Sequence, residues 1–223
     1  MIRAHYFAEL ESVRRSLVDM GETALTLFDE AVRTVSEPNP DSVVTAGELE
    51  TKTDDQHRLI HDLCLRLITL QAPVARDARF VTGVLDAIVD LELIADYSYE
   101  IVTLVSGMRR RPPSQVLTHI SGVAMRVRGV LAMAVHAWRR EDSAKGVSVT
   151  PQEIAIRTEC RALHEKLTRL TLEASEAGSY LDLMLVARHL ERILHHAACV
   201  VDNAAGAAPV AQGEKLQELP IAK

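Results

Sequence analysis

The chain reads as all-α: two tandem antiparallel three-helix bundles made of six long helices. Three observations predict this. Hydrophobic residues make up 48% of the 223 residues but aromatics only 4%, so the core has to be Leu, Val, Ile and Ala. That composition suits helix-on-helix packing better than a β-sandwich. Apolar residues recur at alternating spacings of three and four over long stretches, the period of one helix face. Two segments also echo each other about a hundred residues apart, Leu91-Glu-Leu-Ile-Ala-Asp96 and Leu190-Glu-Arg-Ile-Leu-His195. A period near half the chain length indicates two copies of one module.

The first helix is expected over 6–35, where Tyr6, Leu10, Val13, Leu17, Met20, Ala24, Leu27 and Ala31 form a heptad seam. Glu37-Pro38-Asn39-Pro40 ends it, because proline lacks a donor and disfavours helix in the residue before it. Asp41 or Ser42 can cap a second helix that runs to about Leu70. Pro73 then breaks the chain where a new first turn tolerates it, and a third helix follows from Val74 to Val105. Gly107 and Arg109-Arg110-Arg111-Pro112-Pro113 make the next break, with basic residues placed to offset a helix C-terminal dipole. The fourth helix is expected over Ser114 to Glu141, the fifth from Thr150 or Pro151 to Ala174, and the sixth from Gly178 to Val201. The first bundle therefore spans 1–111 and the second 112–205, with a frayed tail over 206–223.

Charge and cysteine content narrow the function classes. With 25 basic and 31 acidic residues and a net charge of −6, a broad nucleic-acid footprint is not expected. Cys64, Cys160 and Cys199 are odd in number and far apart, which fits a reducing compartment and no disulfide framework. No secretory signal and no run of about 18 uninterrupted apolar residues is seen. A soluble, cytoplasmic protein is expected, not embedded in a membrane.

Several helical stripes carry metal-ligand residue types. Asp54, His57 and His61 are spaced three and four apart and share one face of the second helix. Glu92 and Asp96 share a face of the third helix, and a neighbouring position would let the two stripes meet. A solvated acidic face gives the same spacing. In the second module Glu191 and His195 form the matching pair, but Arg157 aligns with Asp54 and Cys160 with His57. A cation there repels a metal. No phosphate loop, dinucleotide fingerprint or nucleophile elbow is present, and no catalytic residue is assigned. The heptad-patterned faces also suit a second copy of the chain, and a homodimer is expected.

Leu65-Arg-Leu-Ile-Thr-Leu-Gln-Ala-Pro-Val-Ala-Arg-Asp-Ala-Arg79 resembles the P-V-A-x-D-L-R signature of the PhoU family of phosphate-signalling regulators, with Ala78 for the usual leucine. The segments Leu91 to Asp96 and Leu190 to His196 resemble the family's L-E-R-I-G-D-H element, found once per module. The resemblance covers about residues 1–205. It implies two tandem three-helix bundles and a non-enzymatic accessory of a phosphate ABC transporter. Such proteins act through the transporter ATPase subunit and a phosphate-sensing histidine kinase to hold the phosphate-starvation response off, and so lie at the membrane only through partners. Some members bind metals through E/D-x-x-x-D motifs. Carried over, this implies Asp54, His57, His61, Glu92 and Asp96 as ligands in the first module, and Glu191 and His195 in the second. The histidines shift preference from magnesium towards zinc, iron or nickel. Two alternatives stand beside this reading. One is a ferritin-like carboxylate metalloenzyme, which needs ligands from four helices and two E-x-x-H pairs. The other is a metal-free scaffold that has kept the fold.

Overall fold

The computed structural model describes residues 2–139, 149–173 and 177–207. Among these there is no strand, and six helices run in order: α1 (Ile2–Ser36), α2 (Ser42–Gln71), α3 (Ala75–Ser106), α4 (Ser114–Trp138), α5 (Thr150–Glu173) and α6 (Gly178–Ala207). The heptad seam of α1 is the buried one, with Val13, Leu17, Met20, Ala24, Leu27 and Ala31 all fully enclosed. Tyr6 and Leu10 pack against its outer end.

The breaks fall where the prolines stand, but the capping differs in detail. Asp41 occupies the cap position of α2 without a side-chain capping bond. The carboxamide of Asn39 instead accepts the Asp41 backbone N–H at 3.1 Å. At the α2–α3 turn the left-handed conformation falls to alanines, Ala72 at φ 45° and Ala75 at φ 47°. Gly107, at the end of α3, is right-handed at φ −80°. Val74 is extended and α3 begins one residue later than expected. Arg111 does offset a helix C-terminus, but that of α1: it donates to the Val35 carbonyl at 3.0 Å and to that of Ser36.

α4 ends at Trp138, short of the expected Glu141; residues 140–148 lie outside the described residues. α6 runs to Ala207, six residues past the expected end and two into the stretch read as tail. The rest of that stretch, 208–223, is outside the described residues. α4 is long and apolar enough to cross a bilayer by composition. Its apolar face, from Val116 through Ile120, Val127 and Leu131 to Trp138, is instead buried inside the protein.

Within each half the three helices pack on one another, α1 with α2 and α3, and α4 with α5 and α6. The halves meet along two antiparallel seams, α3 on α6 and α1 on α4. The four inner helices thus form a closed ring, with α2 and α5 outside it. A single apolar core runs through both halves, with Phe28, Ile101, Ile120 and Leu190 among the enclosed residues. At the seams the helices approach closely. A Cβ on Gly83 would lie 3.2 Å from the Asn203 carbonyl oxygen, and one on Gly21 would lie 2.9 Å from a Val135 methyl. Trp138 closes the α4–α6 contact by donating its indole N–H to the Val200 carbonyl at 3.0 Å. Asp29 with Arg128 and Glu22 with Arg139 tie α1 to α4 at 2.8 and 2.7 Å.

Candidate functional site

α2 and α3 lie antiparallel, and their outward faces bring the expected acids together. Glu50, Asp54 and Asp96 each offer a carboxylate oxygen, all within 4.8 Å of one another, and all three side chains are half-buried. Glu50 is one helical turn before Asp54, and Asp96 faces both from α3. Burial pushes the Asp96 carboxyl up to about 6, helped by the charges of Glu92, Asp54, Glu50 and Glu100. Carboxylates crowded this closely repel one another, and either a proton or a cation relieves them.

The other candidates take different roles. Glu92 sits beside the triad, held by His57, whose Nδ1 lies 2.8 Å from its Oε2. That contact orients a carboxylate as a supporting residue does around a metal. His61 is one turn further on and faces solvent, next to Asp62 at 3.7 Å. The triad's donors are therefore all oxygen, without the imidazoles expected there. Glu50 was missed. Its signal is in the sequence, since Glu50-x-x-x-Asp54 repeats the spacing of Glu92-x-x-x-Asp96.

The second half brings no such group together among the described residues. Glu191 is engaged by Arg188 at 2.7 Å. His195 is exposed, its Nε2 3.9 Å from the Cys199 sulfur. Arg157, aligned with Asp54, pairs with Glu153, aligned with Glu50, so an ion pair stands where the first half has two acids. The matching face is a groove of ≈850 Å³ between α5 and α6, lined by Cys160, His164, Leu181, Met184, Leu185 and Glu191 among others. Burial pushes the Cys160 thiol up to about 11, which keeps it protonated at neutral pH.

A second polar cluster lies where α3 meets α6. His196 Nδ1 is 2.9 Å from Asp90 Oδ1, and the Asn203 amide reaches the other oxygen of Asp90 at 3.4 Å. Tyr97 stacks against both His189 and His196, with centroids 5.4 and 5.9 Å away. Its hydroxyl accepts from Arg192 at 2.9 Å. His189 also meets Glu100 at 3.2 Å. Burial lowers its pKa, opposed by Glu100 and aided by Arg192. These contacts form a polar latch between the halves, although His189 Nδ1 and His196 Nε2 are buried without a hydrogen-bond partner.

Comparison with known proteins places this geometry. The PhoU domain family matches residues 17–105, which run from α1 to the end of α3 and contain the whole triad. Over those residues the chain is similar to a PhoU domain. The resemblance found in the sequence holds, and likeness to PhoU proteins extends beyond the matched residues. The chain is 25% identical over 201 residues to the phosphate-specific transport system accessory protein PhoU homolog of Synechocystis sp., covering 90% of each. The crystal structure of PhoU from Pseudomonas aeruginosa superposes with a TM-score of 0.82 at 22% identity, over 89% of this chain and 96% of that one. The phosphate transport system regulatory protein PhoU from Streptococcus pneumoniae does so at 0.80, with 17% identity, over 91% and 96%. These two structures share the all-α fold with both halves in place.

Proposed function

We propose that the chain is a non-enzymatic accessory of a phosphate ABC transporter. It docks in the cytoplasm on the transporter's ATPase subunit and on a phosphate-sensing histidine kinase, and holds the phosphate-starvation response off. The observation that carries this reading is the likeness, across nine-tenths of the chain, to a protein named for phosphate-specific transport. The test is a pull-down of the purified chain against the ATPase subunit and the kinase at high and at low phosphate. Retention of at least one partner is expected; no retention of either at both phosphate levels would remove the adaptor role.

The metal belongs to the same proposal. Glu50, Asp54 and Asp96 fit a cation by their donor chemistry, with Glu92 and His57 as supporting groups. The all-oxygen donor set suits hard ions such as manganese, magnesium or ferric iron better than the zinc or nickel that the histidines pointed to. Such an ion would act as a staple between α2 and α3 and as a charged element of the docking face. The ferritin-like alternative gains nothing from the core. Buried polar residues among those described are Thr23, Thr34, Ser42, Thr53, Ser98 and His196, with no carboxylate to line a di-metal centre. A turnover assay with oxygen and ferrous iron is expected to show no activity above background.

A further inference from the structure

Arg58 stands beside the triad without belonging to it. It follows Asp54 by four residues and Asp55 by three on α2, so its side chain runs back over one turn towards both acids. One guanidinium nitrogen lies 3.5 Å from Asp54, and another donates to Asp55 at 2.8 Å. The two acids differ in setting. The Asp54 side chain is 29% exposed and shares the triad with Glu50 and Asp96, whereas that of Asp55 is 69% exposed and lies outside it. Arg58 is itself mostly exposed, so little packing holds it in place, and the longer of its two contacts is the one at the triad. The second half gives the contrast. There the cation is Arg157, which stands at the position aligned with Asp54 and pairs with Glu153.

We propose that Arg58 is the resident counter-ion of the triad, and that a divalent cation enters by displacing its guanidinium from Asp54 onto Asp55. This rests on the metal reading given above and adds the competitor that sets the affinity of that site. Three carboxylates repel one another, and Arg58 offsets part of that repulsion while the site is empty. A divalent ion brings twice the charge of the guanidinium, to a shorter distance from the oxygens, so Coulomb attraction favours the exchange. Asp55 keeps the displaced guanidinium paired, which lowers the cost of moving it. An exposed ion pair is weak, so Arg58 tunes the affinity by a modest factor rather than closing the site. Uptake of the cation also turns a positive side chain away from the triad, which changes the charge pattern of the outer face of α2.

The test is calorimetric titration of the purified full chain with manganese. The variants are Arg58→Gln, Arg58→Lys, Asp55→Asn, and Arg58→Gln combined with Asp55→Asn. Glutamine and lysine are good helix formers, and circular dichroism checks that each variant keeps its helices. Arg58→Gln should tighten manganese binding about three- to fivefold, while Arg58→Lys, which keeps the charge, stays close to the wild type. Asp55→Asn should weaken binding more in the wild-type background than beside Arg58→Gln, because only the former has a cation to move. If Arg58→Gln binds no more tightly than the wild type, the inference is overturned and the triad's metal stands. Equal losses from Asp55→Asn in the two backgrounds would overturn the exchange onto Asp55. If neither the wild type nor Arg58→Gln takes up manganese, the metal reading falls and this inference with it.

Discussion

Burial, together with the charges of four other carboxylates, pushes the Asp96 carboxyl up to about 6. Its folded pKa is raised above the unfolded value, so its contribution to stability is full below about pH 4 and is lost as pH rises through about 6. The metal-free chain should therefore be less stable at pH 7.5 than the charge-free variant Asp96→Asn. The group is partly solvated, so the gain expected from the substitution is only about 1 kcal/mol, shrinking as pH falls towards 4. Denaturant melts of both proteins across that range check it. His189 works in the opposite direction, its lowered pKa costing stability as pH falls, so the difference between the two proteins isolates Asp96. Calorimetric titration with manganese gives a second expectation: Glu50→Gln weakens binding about tenfold or more, while His61→Ala leaves it unchanged. Equal losses in the two variants would contradict the triad. Asp54 and Asp96 were legible because residues four apart share a helix face. That His57 would turn to Glu92 and His61 to solvent was not. Spacing fixes directions around one helix axis and leaves the rotation of its neighbour open.

The helices were legible to within a few residues where proline or a strong apolar period marks an end. Pro38, Pro40, Pro73 and Pro113 bracket them well. The far end of α6 was not, because Ala204 and Ala207 carry too little apolar surface to show a period, yet Ala207 comes within 3.4 Å of the Cβ position of Gly83. Small residues were read as fraying where they serve as close packing. The α2–α3 turn offers a direct test at this level. Ala72 closes α2 in the left-handed region, which strains any residue with a Cβ and which glycine adopts freely. Ala72→Gly should raise stability by about 0.5–1 kcal/mol, seen as a higher urea midpoint with an unchanged slope. A lower midpoint would mean that the turn tolerates alanine without strain.

Two bundles could be read from the repeat, but the ring of α1, α3, α6 and α4 that joins them could not. A clue lay in composition. α3, α4 and α6 bury residues along most of their length, whereas α2 buries only Ser42, Ala46, Thr53, Ile60, Cys64 and Leu67. A helix that is apolar nearly all round has partners on several sides. The α3–α6 seam depends on the backbone approach at Gly83, where the neighbouring atom is a carbonyl oxygen that cannot swing aside. Gly83→Leu should cost about 1–3 kcal/mol, while Gly122→Ala, whose Cβ would meet nothing within 4 Å, should stabilise by about 0.5–1 kcal/mol. Chemical denaturation of the pair separates seam packing from helix propensity. The Arg157–Glu153 pair gives the two halves unlike electrical lives. In one half the cation stands at the aligned position itself; in the other two acids stand there, and Arg58 reaches Asp54 at 3.5 Å from one turn further along α2. A cation taken up at the triad, as proposed above, would therefore act on one side of a near-symmetric molecule and leave the opposite side as it was.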